Sequence, residues 1–120
     1  MRIINYPAVR NRRYGIYKLK QFKIVQQGMI DTVAKPYGTA YTLHTLPLQT
    51  AGKSGSAQTH LNKETNALYI GYAPVQNPKI VMLILVENAT EGSLNAVPIF
   101  KDVMNWYYTN RLATATTTSG

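Results

Sequence analysis

The sequence predicts an α/β (α+β) fold: an antiparallel sheet flanked by helices. Three observations lead there. Apolar residues recur at spacings of three and four between Phe22 and Val33, which is the helical period. A β-rich run, 67–73, and seven consecutive apolar residues, 80–86, are joined by a two-proline turn too short for a parallel crossover, so they form an antiparallel hairpin. A second helical stripe then runs through Ile99, Phe100, Val103, Met104 and Tyr107. With 120 residues and 45% apolar content, the chain supports one domain or one piece of a larger one.

The elements follow in order. Residues 1–21 carry Arg2, Arg10, Arg12, Arg13, Lys18 and Lys20 without an acid, interleaved with Tyr6, Tyr14 and Tyr17. Such a mixture can bind single-stranded nucleic acid, but the simpler reading is a basic connecting segment whose tyrosines dock on the body, and Pro7 and Gly15 argue against a continuous helix through it. In the helix over 22–33, Phe22, Val25, Met29 and Val33, with Ile30 beside them, form the amphipathic stripe. Lys35-Pro36 stops it, because the residue before proline is pushed out of the α region, and Tyr37-Gly38-Thr39-Ala40 reads as a turn. A loop or short strand through Leu48 leads to the strand Ala51–Gln58. The polar stretch 60–66 separates this strand from the hairpin, whose second arm, 80–86, is expected to be buried on both faces. Ser93 or Asn95 caps the last helix, which runs to about Arg111 with Pro98 tolerable only near its first turn. Residues 113–120, threonine and alanine with no apolar anchor, form a frayed tail.

Composition narrows the function classes. Thirteen Lys+Arg against five Asp+Glu give a net charge of +8, which favours an anionic partner: nucleic acid, anionic lipid or a carboxylate-bearing polymer. The absence of cysteine excludes disulfides, thiolate metal sites and a cysteine nucleophile, and leaves the compartment open. Neither a membrane span nor a signal peptide is expected within these residues, so an export signal would lie outside them.

The chemistry concentrates in Ala51-Gly-Lys-Ser-Gly-Ser-Ala-Gln58. Small residues leave backbone N–H groups open to a ligand, while two hydroxyls and an ammonium add donors, as suits an anion-reading strand edge. Lys-Ser-Gly is also one of the three signatures of penicillin-recognising serine enzymes, beside S-x-x-K and S-x-N. Further strings accompany it in order: Gln27-Gly28-Met29, Gly38-Thr39-Ala40, Gly71-Tyr72-Ala73-Pro74 with Asn77-Pro78, Val86-Glu87-Asn88 and Pro98-Ile99-Phe100.

Together these strings resemble the C-terminal part of the transpeptidase domain of class B penicillin-binding proteins, of the elongation (rod-shape) type, in register from about Phe22 to Tyr108. The resemblance implies a partial penicillin-binding/β-lactamase-like transpeptidase fold. Residues 22–112 are then its C-terminal portion: helix, Lys-Ser-Gly strand, hairpin and final helix. It further implies serine acyl transfer that cross-links the D-Ala-D-Ala stem peptides of peptidoglycan, a reaction β-lactam antibiotics block. By the same resemblance Ser54 and Ser56 hold the substrate carboxylate, the backbone N–H of Ser56 donates to the oxyanion, and Lys53 pairs with the S-x-N serine. Gly55 lets the substrate run antiparallel to the edge, with Ala57 and Gln58 completing the binding stretch. The family usually has threonine where this chain has Ser56. The implied location is the extracytoplasmic (periplasmic) face of the bacterial inner membrane, through an anchor outside this chain, and a wall glycosyltransferase is a further implied partner.

The nucleophile motif is not present. No serine is followed three residues later by lysine: Ser54, Ser56 and Ser93 are followed by Ala57, Thr59 and Ala96. Thr32 to Lys35 and Thr50 to Lys53 have the spacing with the wrong hydroxyl, one at a helix end and the other sharing the motif lysine. Ser93-Leu94-Asn95 follows Lys-Ser-Gly instead of preceding it and reads as a helix cap. The chain alone is therefore expected inactive, and an upstream transpeptidase segment carrying S-x-x-K and S-x-N is its expected partner. The alternatives are a non-catalytic truncated homologue that binds wall peptide or a partner, and a piece of a serine β-lactamase or β-lactam sensor. Nucleic acid is the disfavoured partner. His44 and His60 lack a third ligand at metal spacing, so neither metal nor cofactor is expected. Glu87 is read as a structural hydrogen-bonding residue, and Gly71 as a site of close helix packing.

Overall fold

The computed structural model describes residues 16–58 and 65–113. The basic segment up to Gly15, His60 and the tail beyond Ala113 lie outside these residues. The element order is α1 (Ile16–Ala34), a 3₁₀ turn (Tyr41–Thr45), β1 (Ala51–Gln58), β2 (Thr65–Ala73), β3 (Ile80–Ala89), α2 (Gly92–Tyr107) and a π-helical turn (Tyr108–Leu112). Helices and an antiparallel sheet are thus both present, as expected.

Helix α1 starts six residues earlier than the periodicity indicated, because 16–21 contain no helix breaker once Gly15 is passed. It ends one residue before Lys35-Pro36. The turn folds straight back onto it: the Gly38 N–H donates to the Lys35 carbonyl at 2.8 Å and the Ala40 N–H to the Thr32 carbonyl at 3.1 Å. A Cβ at Gly38 would run into the Thr32 carbonyl and lie 2.8 Å from that of Asp31, so only glycine fits there. Of the expected stripe, Val33 is buried and Met29 and Ile30 half-buried, but Phe22 and Val25 stand exposed. Residues 20–28 are all exposed. Where a loop or short strand was expected, the 3₁₀ turn drives Leu43 into the core.

The sheet has the order β1-β2-β3, antiparallel throughout. Paired residues share a face. Gly52, Gly71 and Met82 therefore look the same way as Ser54, Tyr69 and Ile84, while Lys53, Ile70 and Leu83 look the other way. Helix α2 covers the first face. Its buried side chains are Ala96, Val97, Phe100 and Met104; of the expected stripe Phe100 and Met104 are buried and Tyr107 half-buried, while Ile99 and Val103 are exposed. Gly71 makes room for this face: its missing Cβ would lie 2.8 Å from the Phe100 ring, and the phenyl fills that space, packing edge-on to Tyr69 with ring centroids 4.9 Å apart.

Strand β3 is buried on one face only. Val81, Leu83 and Leu85 are 68%, 61% and 52% exposed, with Ile70 beside them on β2. The expected burial on both faces is therefore not met among the described residues: an apolar run reports hydrophobic side chains on both faces, but α2 covers only one of them. Pro98 lies seven residues into α2 and not in its first turn. It sits on the exposed side, where the carbonyl it leaves without a donor can be solvated.

Candidate active-site strand

Strand β1 passes from core to surface along its length. Ala51 and Gly52 are buried, Ser54 and Gly55 half-buried, and Lys53, Ser56, Ala57 and Gln58 exposed. Its root is fixed by aromatic packing. The Tyr69 ring lies across Gly52, whose Cβ, if present, would sit 2.5 Å from the tyrosine Cζ and 2.6 Å from the Ile70 carbonyl oxygen. Tyr69 is fully buried, its hydroxyl has no hydrogen-bond partner among the described residues, and burial pushes the phenol well above its ordinary pKa.

Farther along, the glycines have opposite meanings. A Cβ on Gly92, the first residue of α2, would meet the Leu68 carbonyl and lie 2.7 Å and 2.9 Å from the carbonyl oxygen and nitrogen of Gly55. The start of α2 therefore rests directly on the backbone of the motif strand. At Gly55 itself a Cβ would meet only the Leu68 side chain, at an ordinary 3.7 Å. Packing among the described residues does not demand a glycine there, and the free edge of β1 beside it is one that no described strand occupies.

The side chains gather at that edge. Lys53 is exposed, and its Nζ donates to the Ser54 carbonyl. Ser54 Oγ lies 2.7 Å from Thr39 Oγ1, so the turn after α1 reaches the motif. This partner was invisible to spacing arguments, since Thr39 is fifteen residues away and entered only as part of Gly38-Thr39-Ala40. Ser93 and Asn95 lie in the first turn of α2 and bond to the residues just before it. Asn95 Oδ1 accepts from the backbone N–H groups of Thr90 and Glu91 at 3.0 and 3.1 Å, and the Ser93 hydroxyl donates to the Glu91 carboxylate. Glu91 holds the N-cap position without a side-chain cap hydrogen bond, so neither Ser93 nor Asn95 is the expected cap; both lie inside the first turn, and Asn95 bonds back to the residues before the helix. Glu87 is exposed on the outer face.

His44 is also exposed. It stacks on Tyr41 with ring centroids 4.0 Å apart, and its Nδ1 bonds the Tyr41 carbonyl. His44 also borders a concavity of about 260 Å³ bounded by Val33, Leu43, Leu46, Leu48 and Thr50. Thr50, the residue before β1, borders that hollow, but Lys53, Ser54 and Ser56 do not line it. No group of three or more His, Cys, Asp or Glu side chains among the described residues could hold a metal. No described helix is long and apolar enough to cross a membrane.

Strand β1 thus carries Lys-Ser-Gly on an edge of the described sheet, and the K-T-G type of motif is one signature of penicillin-recognising serine enzymes. The chain belongs to the penicillin-binding protein transpeptidase family: the family model for the penicillin binding protein transpeptidase domain matches residues 13–105. It is 33% identical over 110 residues to the peptidoglycan D,D-transpeptidase MrdA of Haemophilus influenzae, covering 79% of this chain and 17% of that protein. The crystal structure of Pseudomonas aeruginosa PBP2 in complex with WCK 5153 superposes with a TM-score of 0.67 at 36% identity, over 77% of this chain and 20% of that one. The penicillin-binding protein PBP2 from Helicobacter pylori gives a TM-score of 0.70 at 25% identity, over 79% and 18%. This chain thus spans about a fifth or less of the length of the relatives it matches.

Proposed function

We propose that this chain forms the carboxylate- and oxyanion-binding wall of a peptidoglycan D,D-transpeptidase that cross-links wall stem peptides at the extracytoplasmic face of the inner membrane. One observation carries the reading most: Lys53 to Gln58 is an open edge, anchored at Gly52 and braced from behind by Gly92. Ser54 and Ser56 hydroxyls hold the terminal carboxylate of a D-Ala-D-Ala stem, because a carboxylate leaving water needs charge-assisted donors. The Ser56 N–H points its dipole at the oxyanion of the tetrahedral intermediate. Lys53 raises the local positive potential and pairs with the serine of an S-x-N motif, while the attacking serine of S-x-x-K comes from a segment outside this sequence. A β-lactam, whose carboxylate stands in for that of D-Ala, occupies the same edge, and Ala57 and Gln58 extend it.

The test is acylation of the full-length protein by a fluorescent penicillin. Losing a hydrogen bond to a charged group costs about 1.5–3 kcal/mol, so Ser54→Ala and Lys53→Ala are each expected to lower the second-order rate by roughly ten- to a hundred-fold. Unchanged rates in both variants would remove the wall from the mechanism.

A further inference from the structure

We propose that Thr39 is a positioning residue for carboxylate recognition, acting as the outer donor in a hydroxyl relay that runs from Thr39 through Ser54 to the substrate. The inference rests on Ser54 reading the carboxylate, and it adds a residue from a different element to that task.

Ser54 Oγ has one proton and two lone pairs, and with no second group on Cβ its rotamer is weakly held. To serve a carboxylate it must donate its only proton outward. The 2.7 Å contact to Thr39 Oγ1 then has one consistent polarity once the ligand is bound: Thr39 donates and Ser54 accepts. Accepting that bond fixes the Ser54 rotamer, leaves its proton free for the ligand, and polarises its O–H so that the second bond strengthens.

Thr39 can do this because its backbone is fixed on both sides. Gly38 and Ala40 are tied to the end of α1 by N–H bonds to Lys35 and Thr32, the Tyr41 N–H closes back onto the Gly38 carbonyl at 3.2 Å, and Gly38 is pressed against the helix backbone where no side chain fits. The Thr39 side chain itself stays exposed and points to β1. The turn therefore presents one hydroxyl to the motif from a rigid base, and threonine, with a β-methyl, holds its rotamer where serine alone does not.

The experiment is acylation of the full-length protein by a fluorescent penicillin, resolved into an apparent dissociation constant and a chemical rate. It uses Thr39→Val, Thr39→Ser, Ser54→Ala and the double variant Thr39→Val/Ser54→Ala. Thr39→Val is expected to raise the dissociation constant roughly five-fold, the worth of one neutral hydrogen bond, with the chemical rate unchanged. Thr39→Ser is expected to restore most of the loss, and Thr39→Val is expected to add nothing once Ser54 is alanine. An unchanged dissociation constant in Thr39→Val, or an equal additional loss on the Ser54→Ala background, would overturn the relay while leaving Ser54 in its role. A Ser54→Ala variant with wild-type binding would instead overturn the carboxylate reading itself, and the relay with it.

Discussion

Gly52 and Tyr69 show how one contact sets the position of the motif. The phenol ring fills the space a Cβ would need, and the Ile70 carbonyl closes the other side, so Gly52→Ala cannot be absorbed by a side-chain rotation. The expected cost is about 2–4 kcal/mol, measured by denaturant unfolding of the full-length protein. Tyr69→Phe keeps the ring and removes a buried hydroxyl that has no partner among the described residues, so stability is expected to stay level or rise by roughly 1 kcal/mol. The same pair separates on a pH titration. Because the folded state holds the Tyr69 phenol above its ordinary pKa, it keeps the proton longer than the unfolded state. That contribution is fully present below about pH 10 and is lost as pH rises above it. Wild-type stability is expected to fall more steeply than that of Tyr69→Phe in alkaline unfolding experiments. None of this could be read from the residues alone: Gly52 was legible as part of a bare edge, whereas the ring beneath it comes from a strand seventeen positions on.

At the scale of the element, α2 acts as a brace. Its first residue rests on the Gly55 and Leu68 backbone, and Phe100 is seated against Gly71. Gly92→Ala has no flexible neighbour to displace, so the helix start must lift away from the motif strand; penicillin acylation of the full-length protein is expected to fall by more than about ten-fold. Leu94→Ala, at an exposed position two residues on, is expected to leave it unchanged. Strand β1 was legible residue for residue, since small residues and hydroxyls between a proline-bearing loop and a polar stretch leave few other readings. The start of α1 and the 3₁₀ turn were not, and the face of α2 was only partly so: Phe100 and Met104 are buried as their spacing indicates, whereas Ile99 and Val103 are exposed, and periodicity alone does not give the width of a buried stripe.

For the whole molecule, the informative feature is the uncovered face. Ile70, Val81, Leu83 and Leu85 form an apolar patch on the side of the sheet opposite α2, in a chain that matches only 17% of a relative's length. The sequence suggests burial on both faces of β3; the described residues cover one, and on the proposed function the full-length protein is expected to cover the other. Leu83→Lys is therefore expected to lower the thermal midpoint of the full-length protein by several degrees, as burial of an unpaired charge does, and Leu94→Lys on α2 to leave it in place. The central claim is that this chain holds one wall of the site and another segment holds the nucleophile. Its most direct test is to acylate the full-length protein with a penicillin, digest it and locate the modified serine by mass spectrometry. The account expects the adduct on a serine of an S-x-x-K motif outside this sequence, whereas an adduct on Ser54, Ser56 or Ser93 would contradict it.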